Sequence, residues 1–181
     1  MARRSELIKQ HLFTDDGLNA YAILDGASIP DLFGVLYGDN PPAKYECLFR
    51  GDLAPDMAVV APYLVQLDPK AKFTDWLIDA GWGNHYCIFA LSQLDFQSIR
   101  YHFRSLTRVY DETGMRYLYF RYYDPRVLRA FLPTCQGPQL DEMFGPVDYY
   151  LAEGEPATEL QRFHQESGAL VATKAILPKA A

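Results

Sequence analysis

The sequence predicts an α/β fold: a single layered domain with helices packed on a mixed β-sheet, with α+β as the alternative arrangement. Three observations carry this. Segments of helical period alternate with segments of strand character, and turn and cap residues separate them. The run YCIFAL (residues 86–91) is apolar without alternation, as in a strand buried on both faces. A turn at residues 111–114 centres a hairpin, which argues against a purely parallel sheet.

The elements follow in order. Residues 5–12 form a short helix with Leu7, Ile8 and Leu12 on one side. YAILDGA (21–27) is a strand entering an Asp-Gly turn. Ser28 then reads as an N-cap, with Pro30 early in the first turn and Leu32, Phe33, Leu36 and Tyr37 as the buried face. Residues 38–42 break that helix. YECLFR (45–50) alternates like a strand, and APYLVQL (61–67) is another. Asp68-Pro69 opens a helix with a stripe of Phe73, Trp76, Leu77 and Ala80, closed by Gly81. After the 86–91 strand, Ser92 to Asp95 resembles a capping box for a helix to about Leu106. Its core face is Ile99, Phe103 and Leu106, with Arg100, Arg104 and Arg108 on the other side. RYLYFRYY (116–123) is the clearest strand in the chain. Asp124-Pro125 starts a helix that turns Val127, Leu128, Phe131 and Leu132 inward, Arg126 and Arg129 outward, and ends at Pro133.

The chain of 181 residues suffices for one domain with a core and is short for two. Apolar residues at 49% and charged residues at 22% exclude a disordered chain. The expected division is a domain over residues 1–150, then a Gly/Pro/Glu linker, a short helix near 158–166 and a frayed tail in 151–181. An acidic balance, net −6, is a poor match for a nucleic-acid binder. Three distant cysteines without a CxxC argue against a disulfide framework or zinc knuckle and fit a reducing cytoplasm. MARRSELIKQHLF lacks the apolar core of a signal peptide, and no stretch approaches the roughly 18 apolar residues of a membrane span. The expectation is a cytoplasmic protein with no membrane partner.

Catalytic signatures are missing: no GxSxG elbow, no P-loop, no GxGxxG. His11, His85, His102 and His164 lack the spacing of a local metal site, and the expectation is no metal, no cofactor and no catalytic residue. A hydrolase or transferase with a dispersed site is the alternative, using Cys87 or Cys135 with a distant histidine, or the strand-end carboxylates Asp25 and Asp124. Structural roles weigh more for both acids, Asp25 in a turn and Asp124 at a helix N-cap.

The positive signal is electrostatic. Residues 100–129 hold seven Arg (100, 104, 108, 116, 121, 126, 129), no Lys and three acids, Asp111, Glu112 and Asp124. That is +4 within a chain of −6, leaving −10 for the remainder. The segment is also rich in tyrosine. Arg and Tyr together are the composition of protein interfaces. The candidate protein-binding residues are Arg100, Arg104, Tyr119, Arg121, Tyr123, Arg126 and Arg129. The competing reading is a central strand covered on both sides, with Arg121 paired to Asp124 or Asp25. The acids Glu153, Glu155, Glu159 and Glu166 offer a second surface or a flexible clamp.

Seven blocks in order carry a resemblance: YAILDGA, LFRG (48–51), APYLVQL, GWGNHYCIF (81–89), LDFQSIRYHFRSLTRV (94–109), YFRYYDPRVLRAFLPTC (119–135) and FGPVDYY (144–150). Over about residues 13–150 the chain resembles the bacterial domain of unknown function 4123, with FRYYDPRVL the most specific part. Members of that family act as effector adaptor chaperones of type VI secretion, the Tap or Tec proteins. The resemblance implies a non-enzymatic protein that binds one toxic effector in the cytoplasm and helps load it onto the spike protein VgrG. It implies no agreed set of binding residues.

Overall fold

The interior strand β1 (Asn19–Asp25) is buried on both faces, and its neighbours explain why. The computed structural model describes residues 3–15, 17–38, 40–111 and 113–179. Among these, the other strands of the main sheet are β2 (Lys44–Cys47), β3 (Pro62–Gln66), β4 (Cys87–Ser92), β7 (Tyr149–Glu153), β8 (Glu159–Glu166) and β9 (Ala169–Ile176). They stand in the order β2-β3-β1-β4-β7-β8-β9. A separate two-stranded sheet pairs β5 (Arg108–Asp111) with β6 (Arg116–Tyr119).

Helices cover both faces. Ala20, Ala22 and Leu24 of β1 join Phe89 and Leu91 of β4 in one core layer. Over that layer lie α1 (Arg4–Phe13), α2 (Leu32–Tyr37) and α4 (Lys72–Gly81), which supply Ile8, Leu12, Leu36, Phe73 and Leu77. Tyr21 and Ile23 point the other way and join Ile88 and Ala90. There α5 (Phe96–Leu106), α6 (Pro125–Phe131) and α7 (Pro138–Phe144) supply Ile99, Phe103, Leu128 and Met143. A short α3 (Pro55–Ala58) precedes β3. The chain is thus a single layered α/β domain, helices on a sheet, as its alternation predicts. Each described strand pairing is antiparallel, however, where a mixture of directions was expected. No described helix is long and apolar enough to cross a membrane.

Four local expectations are corrected. The strand expected over 116–123 stops at Tyr119. Phe120 N–H adds one bond to Thr107 C=O (3.0 Å), then the chain turns through Asp124 N–H on Arg121 C=O (3.1 Å) to cap α6. The turn expected at 111–114 includes Glu112, which lies outside the described residues. Residues 151–181 are not linker, helix and tail: 149–153, 159–166 and 169–176 are strands of the main sheet. Leu160 and Phe163, three apart, mimic helical spacing, but they project to opposite faces of β8 and enter the two different core layers. Ser28 does not cap α2. Asp31 does, its carboxylate accepting from Gly34 N–H at 3.2 Å. Asp95, not Ser92, caps α5 (Ser98 N–H, 2.9 Å), while Ser92 ends β4 and donates to Pro146 C=O at 2.7 Å.

One polar cluster ties β1 to the end of the β5–β6 hairpin. The Asp25 carboxylate is fully buried and accepts from the Ser28 hydroxyl (2.9 Å) and the Arg121 guanidinium. Arg121 also lies 3.9 Å from Asp124. Asp124 caps α6 through Arg126 N–H (2.9 Å) and receives the Arg126 fork at 3.0 and 2.7 Å. Burial pushes the Asp124 carboxyl up, but the Arg126 side-chain and backbone hydrogen bonds and the Arg126 and Arg121 charges outweigh it, and it lies below its ordinary value. The hydrogen bond to Asp25 raises Arg121.

Removing Arg121 strands a buried charge, so Arg121→Met should cost about 3–5 kcal/mol in urea unfolding. Adding Asp25→Asn should restore most of that loss; a double variant no more stable than Arg121→Met alone would show that the pair is not the cause. A second prediction concerns His102 on α5. Gly145 (φ 47°) follows α7, and a Cβ there would lie 2.7 Å from the His102 ring. Burial pulls this imidazole down to about 4, against a Met143 backbone hydrogen bond that raises it. The unfolded chain therefore binds the extra proton first, from about pH 6.5 downward. Stability should be fully present above that pH and fall by up to about 3 kcal/mol toward pH 4. His102→Gln should flatten this stretch of the stability–pH curve; an unchanged slope would assign it to other groups.

Candidate functional site

The β5–β6 hairpin stands apart from the main sheet with side chains exposed on both of its faces. Val109 pairs with Leu118 on one face; Arg108–Tyr119 and Tyr110–Tyr117 pair on the other. Tyr110 is 54% exposed, Tyr117 63% and Tyr119 60%. The Tyr110 and Tyr117 rings meet edge to face, centroids 5.2 Å apart, and the Arg108 guanidinium lies 4.3 Å from the Tyr117 centroid. Met115, in the turn, is exposed. A lone two-stranded ribbon is marginal in water. Here the base is anchored: Tyr119 lies 4.6 Å from Phe49, Phe120 lies 4.7 Å from Phe131, and the buried Tyr122 hydroxyl donates to Phe103 C=O at 2.8 Å. The result is a rigidly rooted, exposed aromatic and aliphatic surface, the character of an interaction site.

Of the predicted binding residues, the structure places only Tyr119 on this surface. Arg100 Nε lies 2.7 Å from a Glu46 carboxylate oxygen of β2. Arg104 is not turned to solvent: it donates to the C=O groups of Leu48 (3.3 Å) and Phe49 (2.6 Å) and so fixes the loop behind Tyr119. Arg129 donates to Glu153 C=O at 2.6 Å and lies 3.7 Å from the Glu155 carboxylate. Arg121 and Arg126 belong to the Asp25–Asp124 cluster and remain about half exposed. Tyr123 is buried and presents nothing to a partner. Burial raises its hydroxyl, with the Asp25 charge adding to this.

Of the residues of the catalytic alternative, Cys87 and Cys135 are buried, and Asp25 and Asp124 belong to the cluster described above. Burial pushes the Cys87 thiol well up, with the Glu153 charge adding to it, and pushes Cys135 up as well. Cys135 Sγ donates to Phe131 C=O at 3.6 Å. Among the described residues, no group of three or more His, Cys, Asp or Glu could hold a metal ion.

A cleft that sequence reasoning missed lies beyond β7. Gly83, His85, Arg126, Arg129 and Glu153 line a volume of about 230 Å³. Glu153, expected in a flexible acidic clamp, is buried and accepts from His85 N–H (3.2 Å), from Gly83 N–H and from His85 Nδ1. Two of the other clamp acids are also placed by the sheet: Glu159 pairs with Lys174 at 2.9 Å, and Glu166 ends β8, while Glu155 is exposed in the loop between β7 and β8. The only sequence signal for the loop 83–85 is GWGN before a buried strand, with Gly83 and His85 at positive φ (89° and 61°).

Residues 20–142, from β1 into α7, match the family described as Domain of unknown function (DUF4123). No curated protein and no solved structure matches the chain. The match covers about two thirds of the residues and takes in both the Asp25 and Asp124 ends of the buried cluster and the whole hairpin between them, so the protein belongs to the DUF4123 family.

Proposed function

We propose that this protein is a non-catalytic adaptor that binds other proteins, and that its docking face is the β5–β6 hairpin. The observation that supports the reading is the exposed Tyr110–Tyr117–Tyr119 surface with Arg108 stacked on it, backed by a rooted base. Tyrosine and arginine on a pre-ordered element lose little side-chain entropy on docking, which is why such residues dominate binding energy. The likeness of the seven sequence blocks to type VI effector adaptors supports the choice of partners. The adaptor holds a toxic effector in the cytoplasm of the producing cell and passes it to the spike protein VgrG. The arginines contribute indirectly on this reading: Arg104 and Arg121 hold the hairpin's surroundings in place, and Arg126, about half exposed, edges the adjoining surface.

The test is co-purification with a candidate toxin effector and a VgrG spike protein from the same genome, followed by calorimetry. Tyr110→Ser with Tyr117→Ser should weaken one association at least tenfold, about 1.4 kcal/mol, and leave the unfolding midpoint unchanged because both side chains are exposed. Unchanged affinity in the double variant would remove the hairpin from the interface. Capture of neither protein by the wild type would end the adaptor reading itself.

A further inference from the structure

The main sheet ends in two edge strands, β2 and β9, and they are guarded unequally. β2 has four residues, with Lys44 and Glu46 among them. β9 has eight residues, no proline and one charge, Lys174, whose ammonium already lies 2.9 Å from Glu159 of β8. Its register with β8 runs one to one through all eight residues, so no bulge turns the edge aside. Short length, edge charge, proline and bulges are the devices that stop edges from pairing with other chains. β9 has only a neutralised lysine.

Ladder geometry shows which groups are free to pair. Ser167 and Gly168, both at positive φ (51° and 78°), make a two-residue turn of the I′ kind. Leu177 N–H donates to Thr158 C=O at 2.7 Å. With the β8–β9 register, this fixes the alternation. Ala169, Val171, Thr173 and Ala175 exchange hydrogen bonds with β8. Leu170, Ala172, Lys174 and Ile176 turn their N–H and C=O groups outward. The Ile176 side chain is 75% exposed.

The outward set is complementary to itself. Set two copies antiparallel with Thr173 on the two-fold axis. Leu170 of one copy then lies opposite Ile176 of the other, and Ala172 opposite Lys174. The outward N–H and C=O groups all find partners, the large apolar side chains meet each other, and neither lysine faces its copy directly. We infer that β9 is a homodimer interface, in which a second copy of this chain adds its own β9 and joins the two sheets into one. A foreign strand would have to supply that pattern; the second copy already carries it.

The axis gives a register-specific test. Thr173 meets itself in a non-hydrogen-bonded pair, with Cα atoms about 4.5 Å apart and within disulfide reach. Mild oxidation of Thr173→Cys should give a covalent dimer on a non-reducing gel. Ala175→Cys should not, because its opposite residue is Val171. Of the native cysteines, Cys87 and Cys135 are buried and Cys47 is half-buried, so the wild type serves as the control. Sedimentation over a rising concentration series should show the wild type forming dimers. Ala172→Pro removes an N–H that β8 does not use, and Ile176→Lys changes an exposed side chain; both should stay monomeric with an unchanged circular-dichroism spectrum. A wild type that is monomeric throughout overturns the inference, as does a dimer that both variants retain, or equal cross-linking at 173 and 175. A monomeric wild type whose partner binding falls with Ala172→Pro also overturns it and gives the edge to a partner's strand.

Discussion

The buried Asp25 carboxylate organises the end of the molecule where the exposed hairpin is rooted. Asp25 ends β1, is wholly shielded from water and takes its charge partner from Arg121, far along the chain. A charge in that position is tolerable only while the guanidinium stays in place. Its geometry therefore constrains everything attached to Arg121: the end of the β5–β6 hairpin before it, and Asp124 with its cap on α6 after it. Gly26 belongs to the same constraint, since a Cβ there would lie 2.3 Å from Ala61 C=O, so the chain next to Asp25 has no room for a side chain.

This arrangement explains a cation-rich segment inside an acidic protein. Its arginines are structural ties more than a free positive patch. Four of the seven reach a partner distant in sequence or a backbone carbonyl: Arg100 to Glu46, Arg104 to the loop after β2, Arg121 to Asp25, Arg129 to the end of β7. Arginine suits the task because one planar fork can satisfy two acceptors at once, as Arg126 does on Asp124. The tyrosines divide differently. Tyr122 and Tyr123 are core, while Tyr110, Tyr117 and Tyr119 are surface, and the boundary is the turn at residues 121–124.

Local chemistry made much of the fold legible. The Asp124-Pro125 cap, the doubly buried run at 86–91 and the stripes of α4 and α5 all announce themselves within a few residues. Strand direction was not legible, because a strand covered by helices on both faces looks the same in either direction. For the same reason β8 reads as a helix: Leu160 and Phe163 serve two core layers, and nothing local separates that from a helix face. The Ser167-Gly168 turn was the available correction. At the exposed hairpin, the richness of the segment in arginine and tyrosine was legible in the sequence. Of the named residues only Tyr119 lies on the exposed hairpin face, since the sorting of tyrosines and arginines into surface and core depends on where Asp25, Glu46 and Phe49 come to lie.

The place of β7 between β4 and β8 has a consequence for how the chain comes off the ribosome. β4 is complete at Ser92, but its outer neighbour begins at Tyr149. Throughout the synthesis of α5, the hairpin, α6 and α7, β4 has one bare edge, a row of unpaired backbone groups on an apolar strand. The nascent domain is at its stickiest over this interval, and translation speed between these two strands governs how long it lasts. The β8–β9 hairpin is local and closes quickly, but it has nothing to add to until β7 has docked.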